Sequence, residues 1–244
     1  MQPELETRLA FYEDPYLREL EVWVDTVVED PKLGPGLVLS ETLCHPHGGG
    51  QKGDRATLRP APETGLAEVP IVDTRRADGL VLHIVEAPAG VAALRAALEG
   101  NKATLALDWD FRFRQMRLHS TAHLLHCFLE QVLGAPLPFP QTSDLQPDFG
   151  LNRYEAKELC TEAQFGEALA QLNAYIAAGA PIGTHPAPEP EQAAKGYRFW
   201  ECGQWRIPCG GTHPADAREI GPVHAELSLK KGRTGMTFRL REGA

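Results

Sequence analysis

The sequence predicts an α+β fold in two parts, a β-barrel-like domain over residues 1–104 and an α+β domain over residues 105–244. Two observations lead there. Short apolar runs broken by Gly and Pro fill the first part, whereas residues 109–133 hold neither Gly nor Pro and carry helically spaced apolar residues. At 244 residues, with 43% hydrophobic and 23% charged side chains, the chain has enough apolar matter for a core and is not disordered.

In chain order, Leu20, Val22 and Val24 alternate with more polar neighbours and mark a strand, followed by the runs Leu37–Ser40 and Gly79–Glu86. KLGPG and RPAPETG punctuate them as turns. Ala103–Asp108 reads as the last strand of this part or as a bridge. A helix of about six to seven turns then starts near Trp109, runs to Leu133 and ends at Gly134. APLPFPQ is a Pro-rich loop, Glu162–Ala178 a second amphipathic helix, and APEPEQAAKG a loop. From Tyr197 onwards strand and turn signals alternate. No internal repeat occurs at any fixed spacing.

With 24 basic against 33 acidic side chains the net charge is −9, so attraction of the whole molecule to nucleic acid is excluded and only a local patch can serve. Ser228–Arg241 is such a patch: Lys230, Lys231, Arg233, Arg239 and Arg241 with no acid among them. The same pattern suits a solvated edge hairpin that carries cations against aggregation. Five cysteines form an odd, sparse set rather than a disulfide framework, there is no apolar span of membrane length, and the acidic N-terminus does not resemble a secretory signal. A reducing cytoplasm is the expected location.

The chemistry concentrates in two half-sites. His119 and His123, in HSTAH, are four apart on the long helix, so both imidazoles share one face within reach of one ion. In PCGGTH, Cys209 and His213 are also four apart, with Gly210 and Gly211 letting the backbone turn tightly. Three imidazoles and a thiolate match zinc and not calcium or magnesium, which take oxygen. HExxH peptidase chemistry fails because Ser120 follows His119, and deaminase chemistry fails because PCGGTH lacks the second cysteine of P-C-x-x-C. Four protein ligands would close a tetrahedral zinc, whereas three would leave room for water.

Four motifs in order resemble the free-standing alanyl-tRNA editing proteins of the AlaX type, related to the editing domain of alanyl-tRNA synthetase. They are FYEDPYLRELEVWV near the start, HPHGGGQKGD at His45–Asp54, DWDFRFRQMRLHSTAHLL at Asp108–Leu125 and PCGGTHPADAREIG at Pro208–Gly221. The resemblance implies an editing domain with its long helix packed on an antiparallel sheet. It also implies hydrolysis of tRNA for alanine mischarged with serine, and in some members glycine, with the acceptor end of tRNA as partner. Zinc ligands would be His119, His123, Cys209 and His213. Gly48, Gly49, Gly50 and Gln51 would form a substrate-facing loop, and Thr42 would contact the serine hydroxyl. Binding of tRNA would rest on phosphates meeting the Ser228–Arg241 patch; Arg112, Arg114 and Arg117, upstream of His119, are either further phosphate contacts or a solvated helix surface.

Departures from the family pattern lie at Ser40, Cys44, His45, His47, Lys52 and Ala56 and bear on the shape of the amino-acid pocket. Two other functions fit the residues: a tRNA-binding or accessory module with structural zinc, and a zinc-dependent hydrolase of small esters.

Overall fold

A computed structural model describes residues 6–230 and 232–241. The fold is α+β, with a closed barrel, two further antiparallel sheets and a long helix. Two compact units divide the chain: residues up to Gly48 together with Lys52–Arg112, and Gly49–Gln51 together with the residues from Phe113 on. The three residues Gly49–Gln51 thus group with the second unit although their flanks belong to the first.

The first unit is an antiparallel six-stranded barrel. Its strands are β1 (Glu19–Asp30), β2 (Gly34–Leu39), β3 (Ala56–Pro60), β4 (Val69–Ala77), β5 (Leu80–Val85) and, after helix α1 (Val91–Leu98), β6 (Lys102–Leu107). The order around the barrel is β1-β2-β5-β4-β3-β6, closed by pairing of β6 with β1. Val22 and Val24 point inward on either side of exposed Trp23, the period of two that identified the strand. A register shift between Val24 and Thr26 re-phases β1, so that Val27 and not Thr26 joins the core. Leu37, Leu39, Leu58, Ile71, Val85 and Leu105 complete the barrel interior.

Helix α1 was not expected. The run VAALRAAL is rich in good helix formers, and it is anchored through Leu98, which is buried in the barrel core. Short Ala-rich segments carry no strand alternation, and the apolar run before it masked the change of period.

The second unit is built on α2 (Trp109–Leu133), which begins in the first unit and ends at Gly134, as its composition predicts. Around it are β7 (Thr142–Leu145), β8 (Gly150–Tyr154), α3 (Glu162–Ala178), β9 (Ile182–Pro186), β10 (Arg198–Cys202), β11 (Trp205–Pro208), β12 (Val223–Lys230) and β13 (Arg233–Leu240). One sheet has the order β12-β13-β8-β7 and the other β9-β10-β11. Leu118, Leu125, Phe128 and Leu129 of α2 share a core with Tyr154, Met236 and Phe238 of the larger sheet and Trp200 of the smaller. Thr161 caps α3: its hydroxyl accepts from Gln164 N–H while the Gln164 side chain accepts from Thr161 N–H. Part of the expected loop after β9 is a short helix, Pro190–Ala194, entered through its proline.

Candidate metal centre

Helix α2 supplies half of the site. His119 and His123 lie one turn apart, with ring centroids separated by 4.8 Å. The other half follows β11, where Cys209 N–H donates to Arg198 O at 2.9 Å and the chain turns back through Gly210 and Gly211. His213 then stands 4.4 Å from His119 and 5.2 Å from His123, ring centre to ring centre. Glycine is required at position 211 by space: a Cβ there would lie 2.3 Å from His119 Cε1 and 2.9 Å from Gln51 Oε1.

The four donor atoms of His119, His123, Cys209 and His213 all lie within 4.8 Å of one another. Cys209 Sγ is 3.5 Å from His119 Nε2 and 3.3 Å from His213 Nε2. Donors held tetrahedrally at zinc bond lengths stand about 3.4–3.6 Å apart, so these spacings suit a single ion. His123 Nε2 is buried and has no hydrogen-bond partner among the described residues, an orphan that a cation would satisfy.

Neighbours fix the ring orientations. Gln51 Oε1 accepts from Thr212 N–H at 3.0 Å and Gln51 Nε2 donates to Thr212 Oγ1 at 2.8 Å, which sets the amide's direction. The same Oε1 accepts from His119 Nδ1 at 3.0 Å, so His119 presents Nε2 as a lone pair. His213 Nδ1 stands 2.9 Å from Ser120 Oγ, and its Nε2 likewise faces the cluster. Sequence reasoning placed Gln51 at the substrate and gave Ser120 no part. Both touch histidines of the cluster, contacts that local spacing does not reveal because the partners are distant in the chain. Trp200, packed 5.0 Å from His123 ring to ring, also went unnoticed.

Burial lowers His119 to about 4 and His123 well below the usual imidazole range, so both rings are neutral at pH 7 and ready to ligate. Burial also pushes the Cys209 thiol up to about 11; a bound divalent cation would reverse that and hold it as thiolate. The cluster opens into a cavity of about 340 Å³ lined by His119, His123, His126, Phe139, Ser143 and Asn152, with Gly49 at its edge. Gly50 passes so close to β7 that a Cβ would meet Ser143 O at 2.5 Å, and its φ of +88° independently favours glycine. A larger cleft of about 620 Å³ beside α3 is lined mainly by apolar residues and holds none of the four clustered side chains.

No family model matches the chain. An alanyl-tRNA editing protein, AlaX-M, of Pyrococcus horikoshii is 30% identical over 231 residues, covering 94% of this chain and 93% of that protein. The chain belongs to the alanyl-tRNA editing proteins of the AlaX type. AlaX-M of Methanosarcina acetivorans is 27% identical, covering 93% of this chain and 96% of that protein. An alanine–tRNA ligase of Pyrobaculum aerophilum is 28% identical over 238 residues, and there the match covers only 25% of the ligase. No helix among the described residues is long and apolar enough to cross a membrane.

The other residues singled out by the AlaX resemblance fall as follows. Thr42 is fully buried in the first unit. His83 Nδ1 lies 3.1 Å from Leu37 O, which can only accept, so Nδ1 carries the proton and Nε2 accepts from the Thr42 hydroxyl at 2.7 Å. Thr42 Oγ1 in turn accepts from Cys44 N–H at 2.9 Å. His45 packs edge-on against Phe11, and its backbone N–H donates to the Asp54 carboxylate. Arg112 was expected among phosphate-binding cations. Instead it is fully buried, with Nε donating to Asp54 Oδ2 at 2.8 Å, and this ion pair is what the aspartate of GGGQ-x-x-D serves here. Arg117 Nε donates to Ile220 O.

Lys230, Arg233 and Arg239 lie on the hairpin β12–β13, and Arg241 directly follows it; Lys231 lies outside the described residues. Arg233, Arg239 and Arg241 share the outward parity of β13, while Lys230 pairs with Arg233. They are strung out: Arg233 and Arg239 are about 20 Å apart along the strand. Lys230, Arg233 and Arg153 line one groove of about 350 Å³. Glu155 contacts Arg233 at 3.2 Å and Glu226 contacts Arg239 at 3.9 Å, so the face is only partly cationic.

Proposed function

We propose that the chain is a deacylase of mischarged tRNA for alanine, acting chiefly on its seryl ester, at a zinc ion held among His119, His123, Cys209 and His213. The observation that carries this reading is the convergence of those four donors beside a cavity, in a chain of the AlaX family. Three nitrogens and one sulfur are a zinc donor set. With three of the four donors bound and the fourth standing off, zinc would keep one position open and would supply there Lewis acidity toward the ester carbonyl and a lowered pKa for water.

The chain's own groups do the rest. Gln51 and Ser120 hold His119 and His213 with their Nε2 atoms turned to the ion, the outer-shell support that ligating histidines need. Cavity walls of Ala122, Ile207 and Pro208 keep bulk water from the ester, while Ser143 and Asn152 offer polar atoms to the amino-acid end. Thr42 is the candidate reader of the serine hydroxyl. Its proton is committed to His83 and one lone pair to Cys44 N–H, so it would accept from serine and have nothing to accept from alanine. The cationic face of β12–β13 is the candidate contact for tRNA phosphates.

The test is to incubate purified protein with Ser-, Gly- and Ala-tRNA for alanine, with and without a chelator, and to follow amino-acid release. Rapid release from Ser-tRNA, slow release from Ala-tRNA and loss of activity with chelator support the reading. Hydrolysis of free seryl esters without action on charged tRNA points to a small-ester hydrolase, and binding without hydrolysis to an accessory module.

A further inference from the structure

We propose that Phe139, backed by the imidazole of His126, is a stacking platform for the adenine base at the acceptor end of the tRNA, so that the cavity grips the terminal nucleoside as well as the amino acid. The inference rests on the deacylase reading above.

Phe139 is a large apolar side chain left 61% exposed, and it lines the same cavity as His119 and His123. An exposed aromatic ring beside a ligand cavity calls for a partner with a flat apolar face. The ring is built into position. It lies nearly parallel to His126, at 18° with centroids 5.4 Å apart, and His126 in turn lies parallel to buried Tyr154, at 3° and 6.0 Å. Tyr154 Oη is 3.0 Å from His126 Nδ1, which fixes the imidazole from one side, and Glu130 Oε1 stands 3.5 Å from its Nε2. Glu130 Oε1 also accepts from Leu137 N–H at 2.7 Å and ties the Phe139 loop back to α2. Pro136, Pro138 and Pro140 stiffen that loop. The ring is therefore presented with little freedom left to lose on binding.

Its position on the helix gives the occupant. His119, His123 and His126 follow one another along one face of α2, so the imidazole under Phe139 stands about 4.5 Å further along the axis than the last helical ligand. An ester carbonyl at the four donors leaves the ribose and then the base extending along the cavity. Phe139 and Pro140 line that cavity and offer the base a π face and an apolar edge. Stacking on aromatic rings is the usual way proteins hold unpaired bases, and it works for any base because each has a π face.

The experiment uses zinc-loaded full-length protein and two non-hydrolysable probes: a seryl-adenosine amide, with nitrogen in place of the ester oxygen, and the same amide on a ribose without a base. Calorimetry compares the parent with Phe139→Ala, Phe139→Leu and Phe139→Tyr. Ala and Leu should weaken the base-bearing probe about 5- to 150-fold and leave the base-free probe unchanged, whereas Tyr should bind like the parent. Deacylation of Ser-tRNA should show the same loss, carried by KM with kcat preserved. Unchanged binding and KM in the Ala and Leu variants overturn the platform, and so does equal weakening of both probes. Zinc content and melting temperature of each variant show that it is folded. A parent protein that releases no serine from tRNA and binds neither probe refutes the deacylase reading itself; active parent protein with unaffected variants refutes only the platform.

Discussion

Gly211→Ala tests the geometry of the metal centre with one methyl group. Glycine 211 is not among the residues with positive φ, so alanine costs nothing in torsion and the whole effect comes from contact. The added Cβ would sit 2.3 Å from His119 Cε1, 2.5 Å from His119 Nδ1 and 2.9 Å from Gln51 Oε1. Carbon atoms pack at about 3.5–4.0 Å, so His119 or the turn must move by more than about 1 Å, and the Gln51–His119 hydrogen bond is caught between them. Overpacking of this kind costs about 1–3 kcal/mol of stability. Disturbing the partner of a ligating histidine costs about 10- to 100-fold in metal affinity. Titration of zinc-loaded protein with a chromogenic chelator reads the affinity, and a thermal melt of the metal-free protein reads the stability. Gly166→Ala is the control: this residue is exposed on α3 with nothing within 4 Å of an added Cβ, and the change should stabilise by about 0.5–1 kcal/mol without touching zinc. Equal zinc affinity in Gly211→Ala and the parent would refute the claim that His119 is a ligand held in place by Gln51.

Arg112→Met leaves the buried Asp54 carboxyl without its cation, and should cost about 3–5 kcal/mol in denaturant unfolding; adding Asp54→Asn should restore part of it, and an additive double variant would count against a buried ion pair. His83 is held neutral by burial, with its pKa lowered to about 4, while the unfolded chain protonates near 6.5. Its contribution is therefore complete above about pH 6.5 and is lost as pH falls toward 4, a difference of about 3 kcal/mol between the parent and His83→Gln across that window; parallel pH profiles for the two proteins would reject this account. Affinity for tRNA should fall steeply with salt, and Lys230→Ala or Arg233→Ala should each lower the log–log slope by about 1. A slope unchanged by both substitutions would remove the β12–β13 hairpin from the phosphate contacts.

Local signals carried far in this chain where the local pattern is also the global one. Helix α2 could be placed, with its start near Trp109 and its end at Gly134, because no Gly or Pro interrupts residues 109–133, apolar residues recur at helical spacing from Met116, and glycine stops the helix. The convergence of His119, His123, Cys209 and His213 was legible because a spacing of four on a helix, and a spacing of four across two glycines, each bring two donors together. Helix α1 was missed because eight Ala-rich residues give too short a window to separate helix from strand. The parts that stayed hidden depend on partners far along the chain. Arg112 reads as one of several exposed cations until Asp54, 58 residues earlier, is seen to face it. Gln51 reads as a loop residue until it meets Thr212, 161 residues later. The cationic run after Ser228 is real in sequence, but strand geometry spreads it along a ribbon, and acids from Glu155 and Glu226 come in beside it.

The tripeptide Gly49–Gln51 limits how the molecule can be dissected. A piece cut to start at residue 105 would carry all four donors and the entire cavity wall from α2 onward, yet it would lack the amide that steers His119 and fastens Thr212. Such an excised piece would keep every donor of the proposed metal centre and should still grasp an ion loosely, and supplying the missing stretch on a separate polypeptide would be the way to tighten it.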